Sequence, residues 1–433
     1  MHKRKREALM QRIKGGVAIF PSAPPVMRNY DTEHKYRQDS NFYYLTGFEE
    51  PGAVCVIAPD HPEHQYVLFV RPRDPKRETW TGRRAGVDGA KAHFGADEAY
   101  PIEEFDEKIS GYLEKADVLY YSFESDEAFN QKIINIFKRA NRLRLRGGKG
   151  PNTLTDSMEI LAEMRLIKDG EELKRVRRAT EVSVEAHLAA MKVARPGMYE
   201  YELEALIDSI FRHNDGYAAF PTIVASGVNA TILHYTTNDC QIQDGDLLLI
   251  DAGCEYKYYN GDITRTFPAN GKFTEPQREI YQLVLDVELA IIEAIRPGVS
   301  IGEPNKKAVE LLTEEMLKFG LLEGEKEKLI EEKGYKKFYM HRVGHMIGID
   351  VHDINKIKDG EEHKTFQPGM VTTVEPGLYI PVDSENVDPK YLGIGVRIED
   401  DILVTESGCE VLTAQVPKTI EEIEQLMNQA RSA

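Results

Sequence analysis

The chain has 433 residues, 55 of them Lys or Arg and 72 Asp or Glu, for a formal net charge of −17. That length exceeds one ordinary core and suits two domains, while 41% hydrophobic and 29% charged residues exclude disordered and collagen-like chains. The acidic balance repels nucleic acid and anionic membrane, so neither is an expected partner.

From the N-terminus, the basic run from Lys3 to Arg6 reads as the solvated face of a helix. No apolar h-region or cleavage site follows it and no run approaches the length of a membrane span, so the expected location is cytoplasmic. From about residue 16 to residue 125, short β-rich runs at 16–20, 53–57, 66–70 and 118–123 alternate with polar and helical stretches, an α/β pattern. Residues 128–141 read as a helix. The alternation Arg142, Arg144, Arg146 then reads as the exposed face of a short edge strand. Glycines and Pro151 at 147–151 break the chain before a helix near Thr155, and the boundary between an α/β domain (1–165) and an α+β domain (166–433) falls near residue 165. Beyond it, helices are expected at 168–193, ended by Pro196 and Gly197, and at 199–214, 276–294 and 303–319, among β-strands. The four cysteines, Cys55, Cys240, Cys254 and Cys409, are widely spaced with no C-x-x-C, which reads as reduced thiols filling cores.

The most informative stretch runs from Asp244 to Phe267. A turn and a run of β-formers give a strand, and a polar Gly-containing segment reverses it into a hairpin. A hairpin centred near Tyr256 and Lys257 sets Asp251 opposite Asp262. Like charges so placed are destabilising and call for a compensating cation, although each Asp is equally readable as a turn or strand-end residue. Glu375 ends a β-run before Pro376 and Gly377. In residues 394–399, period-two alternation sends Gly395, Arg397 and Glu399 to one face, compatible with a site or a surface ion pair. His341, His345 and His352 fall within twelve residues, without the H-E-x-x-H zincin pattern, and His234 precedes Asp251 by seventeen. Four carboxylates and one histidine form a hard donor set for paired Mn, Co or Zn ions, which lower the pKa of water and polarise a peptide carbonyl. No P-loop, G-x-S-x-G or C-x-x-C competes.

At these residues the sequence resembles the pita-bread metallohydrolase family, which includes methionine aminopeptidase, prolidase, aminopeptidase P and creatinase, along essentially the whole chain. The resemblance implies an N-terminal domain of the creatinase and aminopeptidase P type and a pita-bread catalytic domain. It implies that Asp251, Asp262, His345, Glu375 and Glu399 hold two divalent ions, Mn before Co or Zn, with Asp262 and Glu399 bridging. Glu375 is then the general base. His234, His341 and His352 bind substrate and assist the tetrahedral intermediate, and Arg397 and Tyr391 support or line the pocket. Arg342 departs from the glycine that commonly follows the first histidine in relatives. The expected reaction releases the N-terminal residue of peptides with proline second. A prolidase and a metal-free binding module are the alternatives, and the step of 24 residues from Glu375 to Glu399 is shorter than in prolidases. Relatives form homodimers or homotetramers, and the stretch around Trp80 resembles a segment lying near a neighbour's active site; a plainly packed Trp80 is the other reading.

Overall fold

The computed structural model describes residues 1–123 and 126–432, so the end of the α/β stretch expected up to residue 125 lies outside the described residues. The chain divides into two compact units, Met1–Met164 and Arg165–Ala433.

In the first unit, the four expected β-rich runs and two further short strands, Glu98–Pro101 and Thr153–Thr155, make a six-stranded mixed sheet. Its order is Glu98–Pro101, Tyr66–Val70, Val54–Ile57, Gly16–Pro21, Val118–Tyr120 and Thr153–Thr155. Gly16–Pro21 runs antiparallel to Val54–Ile57 and parallel to Val118–Tyr120. The sheet packs Val17, Ile19, Val56 and Phe69 against Phe105, Ile109, Ile133 and Ile136 from two helices. This is the expected α/β arrangement.

Three local expectations for this unit are corrected. The helix Glu127–Leu145, capped by Asp126 accepting from the Phe129 N–H, runs through Arg142 and Arg144, with Arg146 at its C-cap. Five residues are too few to separate period two from period 3.6, and basic side chains suit a helix C-terminus. Lys5 and Arg6 are buried: Arg6 donates to the Leu45 carbonyl (2.8 Å) and lies over the Tyr66 ring. The helix expected near Thr155 starts at Met158, because Thr153–Thr155 is taken up as an edge strand.

The second unit is α+β. Ile223–Ser226, Leu247–Ala252 and Ile263–Pro268 form one antiparallel sheet, and Val371–Val374, Asp400–Val404 and Cys409–Val411 form another. Gly377–Tyr379 pairs with Gly395–Arg397, and a bridge between Thr264 and Glu399 joins the sheets. Helices Gly170–Val193, Glu200–His213, Glu275–Ala294, Glu303–Lys318 and Ile420–Ser432 cover one continuous apolar core. Asp169 and Glu172 form a capping box at the start of the first of these. Cys55 and Cys254 are buried as core fillers, whereas Cys240 is exposed and Cys409 half-buried. No helix among the described residues is long and apolar enough to cross a membrane.

Candidate dinuclear metal centre

The hairpin that carries the two aspartates turns at Lys257 and Tyr258, both with positive φ (48° and 74°). A two-residue turn with positive φ at both central positions matches the twist of paired strands. Its register sets Glu255 opposite Asn260 and Asp251 opposite Thr264, which corrects the expected facing of Asp251 and Asp262. Lys-Tyr lacks the Asn-Gly signature, so the sequence does not mark the turn. Asp262 stands one residue before the strand Ile263–Pro268, and its N–H donates to Asp401 Oδ2 at 3.0 Å. A Cβ on Gly253 would collide with the Gly261 carbonyl, so close approach of these two backbones requires glycine there.

The facing pair of carboxylates occurs instead across the other sheet. The register from Val374↔Asp400 to Gly377↔Arg397 continues through Pro376, which sets Glu375 opposite Glu399. The Glu399 N–H donates to the Thr264 carbonyl (3.0 Å), and Glu399 Oε2 accepts from the Thr264 hydroxyl (2.6 Å). Asp251, Thr264, Glu399 and Glu375 therefore form one row across both sheets. His345 is held by the Thr373 hydroxyl, which accepts its N–H at 3.1 Å, and Gly344 permits this because any Cβ would strike the Thr373 carbonyl. With Nδ1 at 3.1 Å from the Met346 carbonyl, the ring donates there and aims its Nε2 lone pair at Asp262 Oδ2 (3.5 Å) and Glu375 Oε1 (3.6 Å).

Burial raises the proton affinity of Asp262, Glu399 and Glu375, and neighbouring carboxylates push Asp262 and Glu399 further the same way. Asp251 Oδ1 and Asp262 Oδ1 are buried without a hydrogen-bond partner. Donor atoms of Asp262, His345 and Glu399 lie within 4.8 Å of one another. Unpartnered oxygens beside an imidazole lone pair are what a hard divalent ion requires, so these residues fit the metals that the sequence implies.

These groups form the floor of a cavity of about 540 Å³ whose walls carry His234, His341, His352 and Arg397, with Phe220, Leu233 and Val351 as apolar lining. Arg397 is buried, donating to Asp251 Oδ2 (2.6 Å), the Thr264 hydroxyl (3.1 Å) and the Tyr379 hydroxyl (3.0 Å). Tyr379 in turn lies 2.9 Å from His341 Nε2, and His341 Nδ1 is 2.8 Å from the Arg342 carbonyl. One proton arrangement satisfies all of them: Arg397 donates to Tyr379, Tyr379 to Nε2, and Nδ1–H to the carbonyl. Burial and Arg397 push the His341 pKa down to about 4, so the ring is neutral. The ring of His352 stands 4.3 Å from that of His345, and burial lowers its pKa too.

Tyr391 is not brought to the cavity. It is buried on the turn Pro389–Tyr391, near Phe319, and its hydroxyl donates to Glu279 at 2.6 Å. Sequence reasoning missed Tyr379 and Asp401. Three consecutive acidic residues, Glu399 to Asp401, inside an apolar β-run were the available signal for Asp401; Tyr379 had none beyond its distance of four from Glu375.

Residues 174–406 match the family model described as metallopeptidase family M24, and residues 2–120 match that of the aminopeptidase P N-terminal domain. The chain is 45% identical to the Xaa-Pro aminopeptidase of Escherichia coli (strain K12), covering 99% of this chain and 97% of that one. Its structure is similar to an aminopeptidase of Pseudomonas aeruginosa, with TM-score 0.96 and 47% identity over 100% of this chain and 98% of that one. It is also similar to aminopeptidase P of E. coli with the inhibitor Pro-Leu, with TM-score 0.94 and 44% identity over 100% and 98% of the chains.

Proposed function

The chain belongs to metallopeptidase family M24, with the aminopeptidase P N-terminal domain and a pita-bread catalytic domain, and from that membership we propose how its cavity hydrolyses Xaa-Pro bonds. The protein is a Xaa-Pro aminopeptidase that releases the N-terminal residue from peptides with proline second. The observation that carries the assignment of the site is the set of buried carboxylates with unpartnered oxygens around the Nε2 of His345 on the cavity floor.

Asp251, Asp262, His345, Glu375 and Glu399, gathered on one cavity floor, would hold the two divalent ions. When bound, the ions acidify water and polarise the carbonyl of the scissile bond. Glu375, whose proton affinity burial has raised, takes a proton from the attacking water and returns it to the proline nitrogen as the C–N bond breaks. His234 and His352 orient the substrate and donate to the oxygen that gains charge in the tetrahedral intermediate, whereas His341, whose two ring nitrogens are taken up by the Tyr379 hydroxyl and the Arg342 carbonyl, lines the wall beside them without a free N–H to give. Arg397 fixes the orientation of Asp251. The reading takes Mn as the working metal, with Co or Zn as substitutes, and the unpaired cysteines support a reducing, cytoplasmic setting.

We further take residues 1–165 and 166–433 as the two domains and the protein as a homodimer or homotetramer. Trp80, 89% exposed near the end of the helix Pro75–Thr81, is available for a neighbouring copy. Light scattering that finds a monomer at micromolar concentration removes that role.

The short connection from Glu375 to Glu399 favours an aminopeptidase over a dipeptidase, which needs a wall closing the far side of proline. With Mn present, Gly-Pro-Leu is expected to be cleaved much faster than Gly-Pro, and Gly-Ala-Leu to lose most of the rate. A clear preference for Gly-Pro overturns this in favour of prolidase.

A further inference from the structure

Glu200 opens the helix Glu200–His213 and its side chain is fully buried. Its Oε1 accepts from the Ser226 N–H (2.8 Å), the Ser226 hydroxyl (2.7 Å) and Asn229 Nδ2 (3.1 Å). Its Oε2 accepts from the Tyr235 hydroxyl (2.8 Å) and the Cys240 N–H (2.9 Å). The Glu200 N–H donates to the Cys240 carbonyl at 3.0 Å.

All these partners belong to one stretch. Ser226 ends the strand Ile223–Ser226, Asn229 lies in the turn Gly227–Thr231, and Tyr235 and Cys240 follow in residues 232–240, which form neither helix nor strand. Leu233, His234 and Thr236 of this irregular segment line the cavity. His234 is exposed toward it, whereas Tyr235 is buried with Ile223, Ala225, Ala230 and Leu249. Without repeating backbone pairing, the direction of His234 depends on what holds its neighbours. A carboxylate in the first turn of a helix, taking five donors, is the strongest hold available there.

We propose that Glu200 is a positioning residue for the reaction: by tying Ser226, Asn229, Tyr235 and Cys240 to one helix terminus, it fixes the angle at which His234 meets the substrate. The proposal rests on the reading of His234 as a substrate-contacting residue. Glu200, Asp239 and Cys240 also lie close enough to hold a metal, but a cation on Glu200 would displace donors already in place, so the cluster works as a staple. Small misplacements of a positioned group cost large factors in rate, whereas the fold has many other contacts to rely on.

A double-mutant cycle in the Mn-loaded enzyme tests it. Glu200→Gln, which keeps the shape but puts an amide N–H₂ against donors, should lower kcat roughly tenfold, change KM less than about threefold and leave bound metal unchanged. In a His234→Ala background the same change should cost less than about twofold, because the group it positions is gone. Tyr235→Phe, which removes one donor, should give the same pattern at about threefold. Equal losses in both backgrounds overturn the proposal. If Glu200→Gln does not fold, the cycle of Tyr235→Phe with His234→Ala decides by the same criterion. Full activity of His234→Ala alone instead overturns the reading of His234, and is seen without any Glu200 variant.

Discussion

In the N-terminal unit the buried polar side chains are Lys5, Arg6, Gln38, Ser40, Asn41, Thr46 and Ser157, whereas every buried carboxylate among the described residues lies in the second unit. Gln38 illustrates the first kind: it accepts from two N–H groups and the Tyr36 hydroxyl and donates to two carbonyls, so its neutral amide is used up locally. In the second unit the carboxylates divide again. Asp353 is matched by Arg165 and Lys168, Asp400 by Arg265 and Lys418, and Glu200 by five donors. Asp251, Asp262 and Asp401 each retain a buried oxygen without a partner. A buried charge matched within the chain is scaffold, and one left unmatched marks where something else must bind.

The sharpest break in that comparison is at the carboxylates on the cavity floor, Asp262 with its unpartnered oxygen and Glu399 beside it. Asp262→Ala or Glu399→Ala should abolish turnover, to below about 1% of the parent rate, and reduce bound Mn below two ions per chain by atomic absorption. In EDTA the same Asp262 variant should melt above the parent, because it removes a like charge that nothing compensates. Full activity with unchanged metal content sinks the two-ion assignment.

At a matched carboxylate the expectation is opposite. Asp353→Asn leaves the buried Lys168 without its anion and Arg165 with only the partly exposed Asp350, and urea unfolding should show a loss of about 3–5 kcal/mol with or without metal. A loss confined to the metal-loaded form would place Asp353 with the site instead.

The wall histidines come next. His234→Ala and His352→Ala should each slow turnover by roughly a hundredfold, about 2.7 kcal/mol, while both ions stay bound. Metal lost from the His352 variant would make it a ligand.

The smallest effect is a pH slope. His187 is fully buried, and burial pushes its pKa down to about 4, with one ring nitrogen 3.1 Å from the Ala252 carbonyl. Between its ordinary value near 6.5 and about 4, the unfolded chain binds a proton there that the folded chain does not. Stability therefore falls as pH drops through that window, by about 1.4 kcal/mol per pH unit from this group, and levels off below it. His187→Gln should flatten the slope in chemical unfolding between pH 6.5 and 4; an unchanged slope assigns it to other groups.

Much of the secondary structure was legible in the sequence because periodicity is a local property: Tyr66–Val70 and the helices Gly170–Val193 and Glu275–Ala294 follow their apolar patterns to within two residues. Residue type says only which side chains suit a hard cation; the choice of Asp251, Asp262, His345, Glu375 and Glu399 rests on the family resemblance, and the structure brings all five to one cavity. The rest depended on tertiary contact. The hairpin register turned on positive φ at Lys257 and Tyr258, which neither residue type advertises, and the facing carboxylates proved to be Glu375 and Glu399. Whether a buried carboxylate is matched depends on partners far along the chain, as with Asp353 and Arg165, 188 residues apart. The same holds for Tyr391, turned toward Glu279, and for Tyr379, turned toward Arg397 and His341. A sequence determines which groups can ionise or ligate; only the packed chain decides which of them find a partner, because desolvation and distance are set by neighbours that local pattern does not reveal.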